Sequence, residues 1–313
     1  GLVTAGPNRI RLTVVKWSDA TYIEDQDQWW HGGITRPVFL YATDAVHLAD
    51  IRAIPGLAAD LTTGTLDLAV DVAWGPAGPR PGWHVEVRLG EHLALAAGLA
   101  TGAAAEGPTT LAERDLLAMA AAGAPLDAAT RAARDAVEAR VVPPAAGHVV
   151  WQVSVPDVTP WTAEVPQLYD LAVALHDPHG TVVEEAHLRV GFRRVEIAGL
   201  DLLLNGRRVL LHGINRHDFD PSTGRVVSAA SMRDDVVLMK RCGFNAVRTS
   251  HYPDDPVFLD LCDKLGLYVI GEADIESHAF WASLADDPRS LGAWVRRVAR
   301  LAEHHRPPRA RCR

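Results

Sequence analysis

Cysteine is scarce in this sequence of 313 residues. Its three cysteines, Cys242, Cys262 and Cys312, are too few for the disulfide framework that stabilises many small secreted domains, and two of them lie in predicted helices. The sequence also lacks an apolar run long enough to cross a bilayer, and it has no signal peptide. We therefore expect a protein of the reducing cytoplasm that has no membrane partner.

An excess of positive charge is missing as well. The net charge of −8 argues against broad binding to nucleic acid or to anionic membrane surfaces. Hydrophobic residues nevertheless make up 48% of the chain, and the mean hydropathy is +0.01, so a packed core is expected rather than general disorder. The length allows two or three domains.

The N-terminal region contains an acidic, aromatic segment between two predicted strands. Apolar residues alternate from Ile10 to Val14, and the run at 38–42 is a second strand candidate. The segment at 17–33 carries four carboxylates and three tryptophans. These residues suit either a solvated acidic loop over packed aromatics or a sugar site. In a sugar site, aromatic faces stack on a pyranose and carboxylates accept hydrogen bonds from its hydroxyls.

Residues 45–197 predict an immunoglobulin-like β-sandwich. In four short segments, separated by Pro and Gly, apolar residues alternate with polar or small ones, which is typical of strands with one face on a core. An Ala-rich stretch at about 103–147 interrupts this pattern, and we interpret it as a helical insertion without a functional signal. The four alternating segments begin at Leu66, Trp83, Trp151 and Tyr169.

From about residue 198, predicted strands alternate with predicted helices. The Asn205–Gly206 pair between two apolar runs predicts a tight hairpin. Ser231 and Asp234 are candidate caps for the helix that follows. The alternation gives about three βα units, whereas a closed TIM barrel has eight.

The stretch at 243–278 predicts a strand, a helix and a second strand. Asp255 is placed to cap the helix, Pro256 takes its first position and Gly266 ends it. The apolar run at 267–270 predicts a strand covered on both faces. Polar residues follow each strand, at the edge where barrels of this type place their chemistry. These residues are Arg248, Ser250 and His251 after the first strand, and Glu272, Asp274, Glu276 and His278 after the second.

Three runs in this region resemble glycoside hydrolase family 2, and most closely its large β-galactosidases. They are NAVRTSHYP at 245–253, GINRHDF at 213–219 and GEADIESH at 271–278. The resemblance extends over nearly the whole chain and includes the loop EDQDQW, which favours a galactosidase over the related glucuronidases and mannosidases. It implies the end of a jelly-roll sugar-binding domain at 1–44, an immunoglobulin-like sandwich at 45–197 and the first part of a TIM (β/α)8 barrel at 198–313.

The resemblance also implies an activity. Family members of this type hydrolyse terminal β-D-galactosyl residues of β-galactosides with retention, which requires an acid/base carboxyl and a nucleophile carboxyl. The resemblance places both of these groups beyond Arg313. We therefore expect that the chain lacks the catalytic carboxyls and is an inactive piece of a homo-oligomeric enzyme.

The resemblance assigns binding roles to residues that the chain does contain. Asp27, His217 and His251 would contact galactose hydroxyls, and Asp27 would also help to hold a sodium ion. Glu276 and His278 would ligate magnesium, which suits a hard cation that keeps several waters. These expectations imply Mg²⁺ and Na⁺ as cofactors.

Other interpretations of the same residues stay open. Arg248 would lie close to the nucleophile and keep it ionised, or it would form a structural ion pair inside the barrel. Asp274 stands where β-galactosidases usually carry asparagine, so its role is open. The alternatives for the whole chain are a non-catalytic sugar-binding sandwich module, a β-glucuronidase or β-mannosidase of the same family, and a metal hydrolase with histidine ligands. The last lacks the usual paired-histidine motifs.

Overall fold

A computed structural model of the chain describes residues 6–26, 28–99, 147–278, 280 and 282–305. These residues are organised mainly into β-sheets, and helices enter only after residue 228. Among them, no helix combines the length and the apolar character that crossing a bilayer requires.

The N-terminal segment has little regular structure. A 3₁₀ turn at Asp19–Tyr22 leads into the two-residue strand β1, Glu24–Asp25. The strands expected from Ile10 to Val14 and at 38–42 are absent, so that prediction is wrong. A strand is stable only when its backbone groups pair with a neighbour, and in the described chain neither run has one.

Seven antiparallel strands form a two-sheet sandwich. The first sheet, in the order β2-β3-β6, contains β2 (His47–Leu57), β3 (Gly64–Ala73) and β6 (His148–Val155). The second, in the order β5-β4-β7-β8, contains β4 (His84–Leu89), β5 (Leu93–Gly98), β7 (Tyr169–His176) and β8 (Val182–Val190). Alternate residues of both sheets are fully buried between them, which confirms the predicted immunoglobulin-like architecture. The insertion predicted at 103–147 falls almost entirely outside the described residues.

A small antiparallel sheet follows the sandwich. It consists of β9 (Val195–Ala198), β10 (Asp201–Leu204) and β11 (Arg207–Arg208). Between the last two strands, Asn205 and Gly206 have positive φ angles of 48° and 72°. Two such residues in succession make the tight turn that matches the twist of a hairpin, as the sequence predicted.

The first part of a barrel comes next. Strands β12 (Gly213–Arg216), β13 (Ala246–Thr249) and β14 (Tyr268–Ile270) are parallel, and the helices α1 (Ala229–Arg241) and α2 (Pro256–Leu265) connect them. The apolar faces of both helices pack with the sheet around Val236, Val247 and Phe258. Ile270 is 45% exposed, so the predicted burial of the last strand on both faces is wrong. The remaining elements are β15 (Glu276–Ser277), α3 (Ala282–Ala285), a 3₁₀ turn (Pro288–Ser290) and α4 (Leu291–His305).

Local capping explains where the two connecting helices begin and end. Asp255 accepts a hydrogen bond from the N–H of Val257 at 2.9 Å, and Gly266 ends α2 with a φ of 79°, as predicted. Helix α1 begins earlier than predicted, because Ser228 has the extended backbone of an N-cap and accepts from the N–H of Ser231. The expected caps at Ser231 and Asp234 were therefore wrong.

The sandwich contacts the barrel through one loop. The indole N–H of Trp161 donates to the carbonyl of Asp263 at 2.9 Å. The ammonium group of Lys240 donates to the carbonyls of Ala163 and Gly266, both at 2.8 Å. The bonds to Asp263 and Gly266 satisfy carbonyl groups at the end of α2, where the helix itself supplies no donors.

Candidate active site

An ion pair with a histidine lies at the carboxyl ends of β13 and β14. The guanidinium of Arg248 donates from Nε to Oε1 of Glu272, and Nδ1 of His251 lies 2.9 Å from Oε2 of the same carboxylate. Burial favours the neutral acid, but the hydrogen bonds from Arg248 and His251 outweigh it and hold the pKa of Glu272 below its usual range. Glu272 is therefore an anion that positions the side chains of Arg248 and His251.

A second histidine comes to this edge from the end of β12. The ring of His217 lies 5.6 Å from the ring of His251, at an interplanar angle of 71°. Tyr252 lies next to this pair. Its ring is 6.5 Å from that of His217, and its hydroxyl accepts a hydrogen bond from the N–H of Asp218 at 3.0 Å. The structure thus brings together the two histidines that the sequence predicted as sugar ligands.

A buried charge cluster lies directly behind the histidines. Nη1 of Arg216 donates to Asp218 at 2.5 Å and to Asp254 at 2.8 Å, and its Nε donates to Asp235 at 3.0 Å. Burial, together with the nearby charge of Asp218, raises the pKa of Asp254 to about 7 in spite of Arg216. The guanidinium also lies 4.2 Å from the centre of the Phe258 ring, which anchors it to the core.

The acidic N-terminal loop reaches the same edge. Strand β1 pairs in parallel with β15, with Glu24 opposite Glu276. The side-chain amide of Gln26 donates to Oδ1 of Asp274. Burial, reinforced by the charge of Glu24, raises the pKa of Asp274 to about 6. The loop therefore adds carboxylates to the polar groups at the strand ends.

An aromatic side chain of the loop contacts Phe219, two residues after His217. The ring of Trp29 stacks on Phe219 at a centroid distance of 4.8 Å and remains 70% exposed. Arg36, which follows this loop in the chain, donates a hydrogen bond to the carbonyl of Pro253 at 2.6 Å and so holds the segment against the barrel. An exposed aromatic face of this kind can stack on the apolar face of a sugar ring.

Comparison with known proteins gives this arrangement a context. Models of glycosyl hydrolases family 2 match three successive parts of the chain: the sugar-binding domain at 1–44, a central part at 119–193 and the TIM barrel domain at 195–307. The β-galactosidase of Pectobacterium atrosepticum is 37% identical over 307 residues, which cover 97% of this chain. The β-galactosidase of Pseudoalteromonas haloplanktis is 35% identical over 307 residues and 96% of this chain.

The chain belongs to glycoside hydrolase family 2. It spans 26% of the length of each of these two curated relatives.

Solved structures of the family share the fold. A β-glycosidase from Bacteroides vulgatus gives a TM-score of 0.59 at 21% identity, covering 89% of this chain and 31% of its own. β-Glucuronidase 3 from Bacteroides uniformis gives 0.57 at 22% identity, covering 79% of this chain and 25% of its own. At such identities the likeness concerns the fold alone, namely a sugar-binding domain, an immunoglobulin-like domain and the start of a TIM barrel.

Only some of the residues that the family resemblance assigned to metals are among the residues that the structure describes. Asp27, the predicted sodium ligand and sugar contact, lies outside the described residues. Nδ1 of His278 is 3.4 Å from Oε1 of Glu276. Oε2 of Glu276 is buried and has no hydrogen-bond partner among the described residues. A buried carboxylate oxygen without a donor fits a hard cation, so this pair is compatible with Mg²⁺.

Two important parts of this family 2 site were not predicted from the sequence. Glu272 was only one of several polar residues after a strand, and the Arg216 cluster was not proposed at all. Arg248 pairs with Glu272 in the structure, which is the ion pair that the sequence left open, while its role beside a nucleophile stays a prediction. The signal that could have identified Arg216 is its place in β12, where a strand residue of one sheet face would otherwise be apolar.

Proposed function

We propose that this chain forms part of a retaining β-galactosidase that removes terminal β-D-galactosyl residues from β-galactosides. The observation that carries the proposal is the meeting of the acidic N-terminal loop with the histidines at the strand ends, joined by the contact of Gln26 with Asp274. The similarity to the two curated β-galactosidases over almost the whole chain supports it.

In this proposal, the two histidines recognise sugar hydroxyls. Nδ1 of His251 faces both Oε2 of Glu272, which can only accept, and Nη2 of Arg248, which can only donate, so Nε2 is the polar ring atom left for a sugar hydroxyl. Nε2 donates to a hydroxyl when it carries a proton and accepts from one when it does not. His217, on the neighbouring strand, contacts an adjacent hydroxyl, and such bonds strengthen as the oxocarbenium-like transition state develops.

The ion pair of Arg248 with Glu272 fixes a positive charge at this edge. Beside a nucleophile carboxylate, that charge would keep the nucleophile ionised. The family resemblance assigns neither the nucleophile nor the acid/base to these 313 residues, and the proposal keeps that assignment. The part of the chain described here then binds and orients the sugar, while the two carboxyl groups carry out the covalent steps.

Glu276 and His278 would hold Mg²⁺, and Asp27 would share Na⁺ with the substrate. Bound there, Mg²⁺ would supply positive charge that stabilises nearby anionic oxygens. The buried, unpartnered Oε2 of Glu276 supports the magnesium assignment.

A β-glucuronidase of the same family is the second candidate, because such enzymes are among the similar solved structures. The charge of the site argues against it. Asp25 enters the edge with the loop, next to Asp274 and Glu276, and the neighbouring Glu24 is paired with Arg297. A uronic acid carboxylate would face this negative charge, whereas galactose is neutral. A sugar-binding module without catalysis leaves the Arg248–Glu272–His251 arrangement without a role.

A chimera tests the proposal. The chain would replace the matched quarter of the Pectobacterium atrosepticum β-galactosidase, which supplies the rest of the barrel. We expect hydrolysis of nitrophenyl β-D-galactoside with release of the β-anomer, and little hydrolysis of the corresponding glucuronide. A folded chimera that prefers the glucuronide would overturn the substrate assignment. The unmodified relative is the positive control.

Cytoplasmic location and assembly as a homo-oligomer belong to the same proposal. The scarcity of cysteine supports the first, with Cys262 buried and unpaired and Cys242 exposed. Fractionation of the source cells tests the location, and light scattering of the chimera tests the assembly.

A further inference from the structure

Two histidines and a glutamate meet on the outer face of the four-stranded sheet, in the sandwich rather than in the barrel. Val85 and Val87 point into the core, so His84 and Glu86 on the same strand point outward. His176 is the direct antiparallel neighbour of His84 on β7. All three side chains therefore project from the two central strands of the sheet.

The three side chains lie close enough to one another to serve as ligands of one metal ion. The rings of His84 and His176 stack at 4.6 Å with an interplanar angle of 13°. Nε2 of His176 lies 3.5 Å from Oε2 of Glu86. The possible ligand atoms of the three residues all lie within 4.8 Å of one another. Ligands of a tetrahedral Zn²⁺ are separated by about 3.3 Å, given bonds of about 2.0–2.1 Å, so small side-chain rotations suffice.

His176 is prepared for this role by its surroundings. It is only 9% exposed, and its Nε2 is buried without a hydrogen-bond partner among the described residues. Its Nδ1 lies 3.3 Å from the carbonyl oxygen of Gly180, which can only accept. The proton of the neutral ring is therefore on Nδ1, and the lone pair is on the buried Nε2. A carbonyl that fixes the tautomer in this way is the usual support of a metal-ligating histidine.

We propose that His84, Glu86 and His176 form a binding site for Zn²⁺ that is separate from the barrel edge. Two imidazoles and one carboxylate are donors that Zn²⁺ prefers, and a water would complete the four-coordinate shell. Mg²⁺ and Ca²⁺ prefer all-oxygen sites, so they compete poorly here. The bound ion would join β4 to β7 and stabilise the sandwich, because it binds the folded chain only.

Calorimetric titration of the full chain with Zn²⁺ alone tests the site. The protein is first stripped with EDTA and kept above the ordinary imidazole pKa of about 6.5. All measurements use a background that carries both His251→Gln and His278→Gln, so that neither the His217–His251 pair nor the Glu276–His278 pair of the barrel edge can bind zinc. We expect one tight site there. Adding His84→Gln or Glu86→Gln should weaken it by more than about a hundredfold.

The matched control is His187→Gln. His187 lies on the same outer face, and its Nε2 is 3.6 Å from Oε2 of Glu185, but the described residues supply no third ligand there. Binding should be unchanged in this variant. Zn²⁺ binding that survives His84→Gln, or that is lost equally in His187→Gln, overturns the proposal.

A melting experiment covers the case in which the His84 variant fails to fold. In the same background with His251→Gln and His278→Gln, Zn²⁺ at about a hundred times its dissociation constant should raise the Tm by about 5 °C. The same concentration of Mg²⁺ should leave the Tm unchanged. Equal shifts with the two ions, or none with Zn²⁺, also overturn the proposal.

Discussion

The side-chain amide of Gln26 donates a hydrogen bond to the carboxylate of Asp274, 248 positions later in the chain. Gln26 is buried, and it also accepts from the amide of Gln28 at 2.7 Å. The contact therefore fastens the acidic loop to the barrel edge from inside.

Replacing Gln26 should loosen this loop. Gln26→Ala leaves the half-buried carboxylate of Asp274 without this donor, which costs about 1–3 kcal/mol. We expect faster limited proteolysis within residues 24–44 and unchanged cleavage of the sandwich. Gln167→Ala is the control, because Gln167 is exposed and donates only to the carbonyl of Leu168. Equal cleavage of both variants would show that the loop is held by other contacts.

The buried cluster around Arg216 should be essential for stability. Arg216→Met leaves Asp218 and Asp254 as neighbouring buried acids without their shared cation, at a cost of about 3–5 kcal/mol in the free energy of unfolding. Arg208→Met removes the exposed pair of Arg208 with Asp201 and should cost less than about 1 kcal/mol. Urea denaturation measures both. Similar losses would mean that the cluster is solvated.

Asp254 predicts a pH dependence of stability. Burial raises its pKa from 3.8 to about 7. Between these pH values, the folded chain retains a proton that the unfolded chain has released, so stability falls as the pH rises from about 4 to about 7. The part of the loss that belongs to Asp254 should amount to roughly 2–4 kcal/mol and disappear in Asp254→Asn, while the pKa values of Asp263 and Asp274, which burial raises to about 6, leave a shallower slope.

The control for this experiment is Asp60→Asn. Hydrogen bonds from Thr63 and Thr62 lower the pKa of the exposed Asp60 to about 2. Its contribution is lost only below pH 4, so its removal should leave the slope between pH 4 and 7 intact. A slope as steep in Asp254→Asn as in the parent would assign the titration to other groups.

The sugar-binding roles predict losses of activity in the galactosidase chimera. His217→Ala and His251→Ala should each lower kcat/KM by an amount that corresponds to about 2–4 kcal/mol. Glu276→Ala should instead weaken the dependence of activity on Mg²⁺. A Glu276→Ala enzyme with the parent's magnesium response would refute the metal assignment.

Short-range signals made part of the fold predictable. Helix caps and turns act through neighbours only a few residues away, as at Asp255, Gly266 and the Asn205–Gly206 pair. In the sandwich strands, the alternation of apolar and polar residues shows directly which face is buried. The first strands failed because alternation describes a face and does not supply a partner. The start of α1 failed because the capping serine is chosen by backbone conformation as well as by residue type.

From the sequence, only the location of the candidate site was predictable, at the carboxyl edge of the parallel strands. Parallel strands bring their carboxyl ends together, so the meeting of His217 and His251 follows from topology. The pairing of Arg248 with Glu272 rather than with another nearby acid depends on side-chain geometry. The contact of Gln26 with Asp274 depends on a path of 248 residues that no local pattern records.

The backbone of Ala163 lies close to Gly266, at the contact between the sandwich and the barrel. A Cβ at Gly266 would collide with the carbonyl oxygen of Ala163, and the φ of 79° already disfavours any other residue. A side chain there would act as a wedge at the amino end of β14, opposite the edge that holds His251 and Glu272. We expect such a side chain to tilt the sandwich relative to the barrel and so to shift the acidic loop, which precedes the sandwich in the chain, at the opposite edge of the sheet.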